Sequence, residues 1–383
     1  MERTLFDQDH GLFRETVQGF ITRSVTPHLE RFRRERVIER ALWLAAGEQG
    51  LLGIEVPERF GGTGVSDPRF VVVLCEELAR ARLALASCLG MHVDVVVPYL
   101  LELGTEEQQE RWLPGMCTGE VITALAMTEP DAGSDLAALR TRAVRKGERW
   151  ILNGSKTFIT NGTCADLTIV AARTGEARSA ITLFAVDSAL HGYTVGGKLS
   201  KIGQHEADTA ELSFNDVELT DADVLGEVDG GWRHMLDRLP RERLHAAYVN
   251  LAHAEAAFEV TLEHVKARRA FGRPIGSFQN SRFALAEAAV ELELARAYVD
   301  RCIGEHVAGR LSGIDAAKAK YYTAEIQNRI IDTCHQLHGG YGYMDEYAIA
   351  RAWADARVTR IYAGSNEIMR EIIGRSLGLG DPR

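Results

Sequence analysis

Residues 126–135 read AMTEPDAGSD, and near this stretch the character of the chain changes. Before it, apolar residues recur at helical spacing. From about residue 121 they alternate in short runs, which is typical of strands. The stretch itself combines turn-forming residues with the hydroxyls of Thr128 and Ser134, and Gly133 allows a backbone to approach a ligand closely. It predicts either a plain turn at the end of a strand or a ligand-binding loop.

Working outward from this stretch, a helical block precedes the strands and a second helical block follows from Gly231. This order predicts an α+β fold with a helical N-terminal domain (1–121), a central β-sandwich or β-barrel domain (122–228) and a helical C-terminal domain (229–383). The pairs Asn153-Gly154 and Asn161-Gly162 are predicted to be turns between short strands. Thr105, with an amide three residues later, predicts a capped helix start.

The bulk properties exclude several classes of protein. The formal net charge of the 383 residues is −10, which argues against a broad nucleic-acid surface, because phosphate binding needs clustered cations. No apolar run approaches the roughly 18 residues that span a bilayer, and the first ten residues carry no apolar signal region. The six cysteines are scattered without CxxC spacing, which indicates reduced thiols and a cytoplasmic location.

Three further segments carry candidate binding residues. KTFITNG (156–162) places an aromatic and a hydroxyl two residues apart, on one face of a strand. RRAFGRPI (268–275) clusters arginines that can hold a pyrophosphate through forked hydrogen bonds. QLHGGYGY (336–343) follows a helix, so its glycines do not form a dinucleotide-binding fingerprint. The simpler interpretations are a strand entering a turn, cations at a helix C-terminus and a glycine cap.

Close spacing of Cys334, His335 and His338 raises the question of a metal site. The same residues lie in or beside the QLHGGYGY segment, which already has an interpretation as a binding motif. The sequence therefore predicts no metal.

Near the C-terminus, residues 360–369 read RIYAGSNEIM. Together with AMTEPDAGSD, this segment resembles the acyl-CoA dehydrogenase family, flavoenzymes that remove two hydrogens from an acyl thioester in fatty acid metabolism. The resemblance spans essentially the whole chain. It implies one FAD per subunit, a C-terminal four-helix bundle, a homotetramer and electron-transferring flavoprotein as the electron acceptor.

The resemblance also assigns roles to residues. The residues matching Arg268, Phe271, Gln336 and Gly340 would contact the FAD of a neighbouring subunit, and Phe158 stands where many members have tryptophan. The full set of residues implied to bind FAD is Leu125, Met127, Thr128, Gly133, Ser134, Phe158, Thr160, Arg268, Phe271, Gln279, Gln336, Gly340, Ser365 and Glu367.

One departure from the family concerns the catalytic base. Many members have glutamate directly after the tyrosine of the RIYAGSNEIM segment, and here that position is Ala363, which cannot take a proton. A minority resembling the long-chain and isovaleryl types places its glutamate at the position matching Glu242, in LPRERL (239–244). Glu242 is therefore the predicted base. The simpler interpretation is an acid in the first turn of a helix that opens at Pro240, where the helix dipole stabilises it.

The implied reaction is α,β-dehydrogenation of an acyl-CoA to the 2-enoyl-CoA, with hydride transfer to flavin N5. The residues implied to bind the substrate are Ser134, Arg243, Tyr362, Ala363 and Gly364; the backbone N–H of Ala363 would bind the thioester carbonyl. Two alternatives stay open. One is a biosynthetic dehydrogenase acting on an acyl thioester of a carrier protein, and the other is a flavin-binding pseudo-enzyme, which the alanine at 363 suggests.

Overall fold

The computed structural model describes residues 3–379 and has an α+β architecture. Helices come first, a sheet occupies the centre of the chain, and long helices follow. The N-terminal helices are α1 (Gln8–Phe20), α2 (Leu29–Glu35), α3 (Arg40–Glu48), α4 (Arg69–Ala81), α5 (Leu83–Gly90), α6 (Val97–Leu103) and α7 (Glu106–Thr118), with π turns at Ile21–Val25 and Met91–Val96.

Helix α7 begins where the sequence predicts. The Thr105 hydroxyl accepts a hydrogen bond from the backbone N–H of Gln108, and Gln108 Oε1 accepts one from the backbone N–H of Thr105. The capping box is therefore confirmed. Residues 70–85 do not form one continuous helix. Arg82 has an extended backbone (φ −160°, ψ 132°), and it separates α4 from α5.

Residues Leu83–Leu103 form a single helical run through α5, the π turn and α6. Within residues 3–379 this run of 21 residues, with a mean hydropathy of 1.6, is long and apolar enough to cross a membrane. The sequence interpretation missed it because His92 and Asp94 interrupt the apolar pattern. Within this run, 89% of the most apolar 18-residue window is buried inside the fold, as in the core helix of a globular domain.

The central strands are β1 (Thr123–Ala126), β2 (Arg142–Lys146), β3 (Arg149–Thr160), β4 (Leu167–Arg173), β5 (Ile181–Asp187), β6 (Tyr193–Val195), β7 (Thr209–Thr220) and β8 (Val224–Leu225). They form one sheet in the order β6-β7-β3-β2-β4-β5-β8, with β1 parallel to β4. Buried side chains from β3 and β7 share a core with others from β4 and β5, so the sheet curves around its own interior.

Asn153-Gly154 is not a turn, which corrects the sequence prediction. Strand β3 runs through this pair, and its pairing with β7 shifts register between Leu152 and Gly154. Gly154 has φ 146°, and a Cβ there would lie 2.5 Å from the hydroxyl of Thr141. Gly154 therefore forms a β-bulge beside Thr141, where a side chain would not fit, and the chain does not reverse there.

The C-terminal elements are α8 (Gly231–Ala267), β9 (Arg269–Ala270), β10 (Arg273–Pro274), α9 (Gln279–Val307), α10 (Gly313–Leu337), α11 (Ala348–Ala356) and α12 (Asn366–Ser376). Helix α10 packs against α8, α9 and α12, and α8 also packs against α4. Buried residues of the N-terminal helices and of α8, α9 and α10 belong to one continuous core. Helix α8 therefore packs against both the N-terminal and the C-terminal helices and lies at the boundary between them.

Candidate active site

Glu242 lies inside helix α8 and not in its first turn. The helix begins at Gly231, so Glu242 comes about three turns later, and Pro240 is an interior residue. The interpretation of Glu242 as a first-turn acid held by the helix dipole is therefore wrong, because that effect fades within the first turn. The interior proline also leaves the helix one backbone hydrogen bond short just before Glu242.

A cavity of about 370 Å³ lies beside Glu242. Its walls come from the π turn at Met91–Val96, from α6, from α8 and from the end of α9 with the residues after it. The lining residues are Asp94, Val95, Pro98, Tyr99, Glu102, Asp237, Arg238, Pro240, Arg241, Glu242, His306, Gly309 and Leu311. Glu242 accepts a hydrogen bond from the fully buried Tyr99, whose hydroxyl is 3.1 Å from Oε1.

Burial raises the pKa of the Glu242 carboxyl to about 6, because a low-dielectric surrounding disfavours the charged form. The hydrogen bond from Tyr99 and the positive charges of Arg243 and Arg238 act in the opposite direction. The resulting carboxyl is mostly ionised at neutral pH and is still a stronger base than an exposed glutamate. Those are the properties of a side chain that accepts a proton at neutral pH.

A buried ionic network fixes α8 against the π turn beside this cavity. Asp94 accepts hydrogen bonds from Arg241 Nε at 2.7 Å, from His245 Nδ1 at 2.9 Å and from the hydroxyl of Tyr248. Arg241 also pairs with Glu55. Burial by itself would raise the pKa of Asp94, but Arg241 and His245 hold it below its usual value. The network keeps its carboxylate charged and anchors the turn of α8 that carries Glu242.

The Ala363 loop is held by a buried lysine. Lys320 of α10 donates to the carbonyl oxygen of Gly364 at 2.6 Å and to Oδ1 of Asn366 at 3.1 Å. Ala363 has a left-handed backbone with φ 52°, which is uncommon for a residue with a side chain. Burial is the largest cause that lowers the pKa of Lys320, and the positive charge of Arg243 lowers that pKa further. Arg243 and the Ala363 loop therefore lie at the same part of the molecule.

Other predicted residues of this loop have plain structural roles as well. The Ser365 hydroxyl caps α12 by accepting from the N–H of Ile368, and Glu367 is exposed and pairs with Arg370 at 2.9 Å. Tyr362 contacts the hydroxyl of Ser87, and its burial raises its pKa. The contacts of Ser365 and Glu367 with FAD stay predictions.

The AMTEPDAGSD stretch is anchored to strand β3 by a buried ion pair. Lys156 Nζ lies 2.8 Å from Glu129 Oε1 and also donates to the carbonyl oxygen of Met127 at 3.0 Å. Glu129 accepts a further bond at 3.0 Å from the N–H of Thr141. Burial would raise the pKa of Glu129, but the Lys156 ammonium and the N–H donors hold it below its usual value. Sequence reasoning missed this pair, because Glu129 stands beside a proline in an apparent turn.

This ion pair brings the predicted residues of the stretch and of β3 together. The N–H of Thr157 donates to the carbonyl of Thr128 at 3.0 Å. Phe158 has φ 60° and is 67% exposed, and it stands at a second register shift of β3. Thr160 is half-buried. The partly exposed or exposed residues of this surface are Leu125, Met127, Thr128, Gly133, Ser134, Phe158 and Thr160.

A second cavity of about 640 Å³ collects three other predicted residues, Arg268, Gln336 and Gly340. His264 and His338 stack at its wall with ring centroids 4.1 Å apart, and Nε2 of His264 has no hydrogen-bond partner within the described chain. Arg268 lies over the ring of Tyr341, and no carboxylate forms a salt bridge with it among residues 3–379.

Two predicted residues lie outside this cavity lining. Phe271 sits at the tip of the β9–β10 hairpin and is 95% exposed, while Gln279 is the exposed first residue of α9. Among the described residues no group of three or more His, Cys, Asp or Glu side chains has the geometry of a metal site. The nitrogen Nδ1 of His338 instead bonds the backbone carbonyl of Cys334 at 2.9 Å.

The chain matches the acyl-CoA dehydrogenase family along almost its whole length. Residues 7–120 match the family's N-terminal domain, 124–217 its middle domain and 229–378 its C-terminal domain. A long-chain specific acyl-CoA dehydrogenase from rat mitochondria is 44% identical over 98% of this chain and 88% of its own length.

Solved structures agree with these matches. An acyl-CoA dehydrogenase from Geobacillus kaustophilus superimposes with a TM-score of 0.96 at 42% identity, covering 99% of this chain and all of its own. A glutaryl-CoA dehydrogenase from Mycobacterium smegmatis, solved in complex with FADH2, gives a TM-score of 0.92 at 27% identity and covers 99% of this chain and 97% of its own.

Proposed function

Because the chain belongs to the acyl-CoA dehydrogenase family and is an oxidoreductase of that family, we propose that it converts an acyl-CoA to the 2-enoyl-CoA with Glu242 as the base. The observation that carries the proposal is the position of Glu242. It lies at a cavity, it accepts a hydrogen bond from Tyr99, and its pKa of about 6 suits proton transfer. Ala363 offers no acid at the alternative position.

Two surfaces of this chain fit parts of an FAD molecule. Phe158 offers an exposed aromatic face next to the Thr128 stretch, where a flavin ring can stack. In the second cavity Arg268 is a cation without a salt bridge among residues 3–379, and the glycines at 339 and 340 leave open space around their Cα atoms. That combination suits a pyrophosphate or an adenosine. Bound FAD would supply the acceptor for the β-hydride of the substrate.

Each step of the proposed reaction uses groups of this chain. Glu242 takes the α-proton of the thioester onto a carboxylate oxygen, and the electron pair of that C–H bond forms the new double bond as the β-hydride leaves. The backbone N–H of Ala363 would donate to the thioester carbonyl and stabilise the charge that develops there. Lys320 holds the carbonyl of Gly364 in the same loop, which restrains the segment that carries this N–H.

The proposed substrate contacts are Ser134, Arg243, Tyr362, Ala363 and Gly364. The rat relative is named for long-chain substrates, so a saturated long-chain acyl-CoA is the first substrate for a chain-length series. We also propose electron-transferring flavoprotein as the acceptor that reoxidises the enzyme. The free cysteines of the described chain support a cytoplasmic location. The division into domains at 1–121, 122–228 and 229–383 stays a prediction.

Purified protein is expected to be yellow and to release FAD, about one per subunit, on denaturation, because the chain belongs to a family of FAD-dependent enzymes. Arg268→Met should weaken FAD retention, whereas Arg269→Met should retain it, because Arg269 bonds the carbonyl of Gly272 and does not line the cavity. Chromatography of the released flavin and equilibrium dialysis measure both quantities. Release of FMN, or equal retention by the two variants, would contradict the proposed cofactor site.

The protein is expected to be a homotetramer, or at least a dimer. Phe271 and Arg268 are exposed in the single chain, and their proposed partner is the FAD of a neighbouring subunit. Light scattering of the FAD-loaded protein gives the molar mass in solution. A monomer that holds a full complement of FAD would rule out the shared site.

A further inference from the structure

Tyr99 is a second residue of the Glu242 site that sequence reasoning did not identify. Its side chain is completely buried, and its hydroxyl donates to Glu242 Oε1 at 3.1 Å, across 143 positions of sequence. Both residues line the same cavity. A hydrogen bond from a neutral hydroxyl to a carboxylate is strengthened by the charge of the acceptor and fixes its direction.

The local backbone explains how Tyr99 reaches this position. A π turn over Met91–Val96 leads directly into α6 within the same helical run, and Pro98, which has no backbone N–H to donate, follows that turn. Such turns insert an extra residue into a helix, shift the face that follows and occur often at functional sites. The guanidinium of Arg238 lies 5.2 Å from the centre of the Tyr99 ring and pairs with Glu102 at 2.5 Å. Arg238 therefore lies over the Tyr99 ring and is itself held by Glu102.

We propose that Tyr99 is a positioning residue for the catalytic base: its hydroxyl holds the Glu242 carboxylate toward the substrate and favours its ionised form. The inference rests on the proposed function of Glu242. Removing the hydroxyl would leave one carboxylate oxygen without its donor in a buried site. Glu242 would then ionise less readily and would sample more than one orientation.

Other charged groups face Glu242, and they define what the test must separate. They are Asp94 in the π turn, Glu102 on α6, Asp237, Arg238, Arg241, Arg243 and His245 on α8, and His306 on α9. The positive neighbours favour the carboxylate and the acids oppose it. Tyr99→Phe removes one oxygen and leaves every one of these groups in place, so a change in the titration of Glu242 belongs to the hydroxyl.

The test is an infrared titration of the FAD-loaded, substrate-free protein, in which Glu242 is isolated by subtracting the spectra of Glu242→Gln. In Tyr99→Phe the midpoint of the Glu242 carboxyl is expected to rise by about one pH unit, the size expected for loss of one hydrogen bond to a charged group. The pH profile of flavin reduction by a saturated acyl-CoA should shift in the same direction. The rate near pH 6 should fall about fivefold, with little change in KM.

Tyr193→Phe is the matched control, because that half-buried tyrosine bonds the hydroxyl of Thr168 on the sheet and lies outside the cavity. A midpoint unchanged in Tyr99→Phe, or shifted equally in Tyr193→Phe, would overturn the proposal. The double variant Tyr99→Phe/Glu242→Gln should reduce flavin no more slowly than Glu242→Gln, and an additional loss would also overturn it. Failure of the proposed base has a different signature, namely a normal rate in Glu242→Gln by itself.

Discussion

Glu242→Gln is expected to slow flavin reduction by about 10²- to 10⁴-fold, because a positioned general base contributes that much to proton transfer. Glutamine keeps the size of the side chain and can still accept the bond from Tyr99, so FAD and thioester binding should persist. Anaerobic stopped-flow mixing with a saturated acyl-CoA, followed through flavin bleaching, measures the rate. Near-normal bleaching would remove Glu242 from the mechanism.

Two companion variants sharpen this result. Glu259→Gln is the control for charge on the same helix, because Glu259 is exposed, pairs with Arg80 and does not line the cavity, so its rate should stay close to that of the unaltered protein. Adding Ala363→Glu to Glu242→Gln should restore part of the activity, since the family resemblance implies that both positions reach the same α-carbon. If the unaltered protein fails to bleach with any acyl-CoA or carrier-protein thioester, a pseudo-enzyme is favoured instead.

Lys156→Met is expected to destabilise the fold by about 3–5 kcal/mol, because it leaves the buried Glu129 carboxylate without its cation. The variant should also lose FAD, since Lys156 ties the Thr128 stretch to β3. Urea unfolding followed by tryptophan fluorescence and released-flavin absorbance measures the two effects.

Lys146→Met is the matched control for that change. Lys146 is an exposed lysine on β2, so its replacement should alter the free energy of unfolding by less than about 0.5 kcal/mol. Equal stability of the two variants would show that the Lys156–Glu129 pair does not hold the stretch. Loss of FAD in Lys156→Met without loss of stability would separate its binding role from its structural role.

Local patterns in the sequence were sufficient for the architecture. The change from helical to alternating spacing near residue 121 predicted the α+β order, and the cap at Thr105 was confirmed in detail. The family resemblance was likewise confirmed along the chain. The helix, strand and cap patterns each depend on residues only a few positions apart, so a short stretch of sequence is enough to recognise them.

Errors in the sequence interpretation occurred where one residue type suits two local structures. Pro240 is acceptable in a first helical turn, and it predicted a helix start there, but α8 begins at Gly231 because packing of Trp232 and Met235 against the core stabilises the preceding turns. Asn153-Gly154 is a frequent turn pair, yet pairing with β7 on one side carries β3 straight through it. In both places tertiary contacts outweighed a local preference.

The sequence by itself determined the family and so the general kind of chemistry, and it left Glu242 of the LPRERL segment as the proposed base, because Ala363 cannot take a proton. Tertiary structure alone decided the surroundings of that base. The partners Tyr99 and Glu242 are 143 residues apart, and Lys156 and Glu129 are separated by 27. In neither pair does the sequence around one residue indicate its contact with the other. Burial and hydrogen bonding set the pKa of a carboxyl, and both are properties of the packed interior that no short stretch of chain possesses.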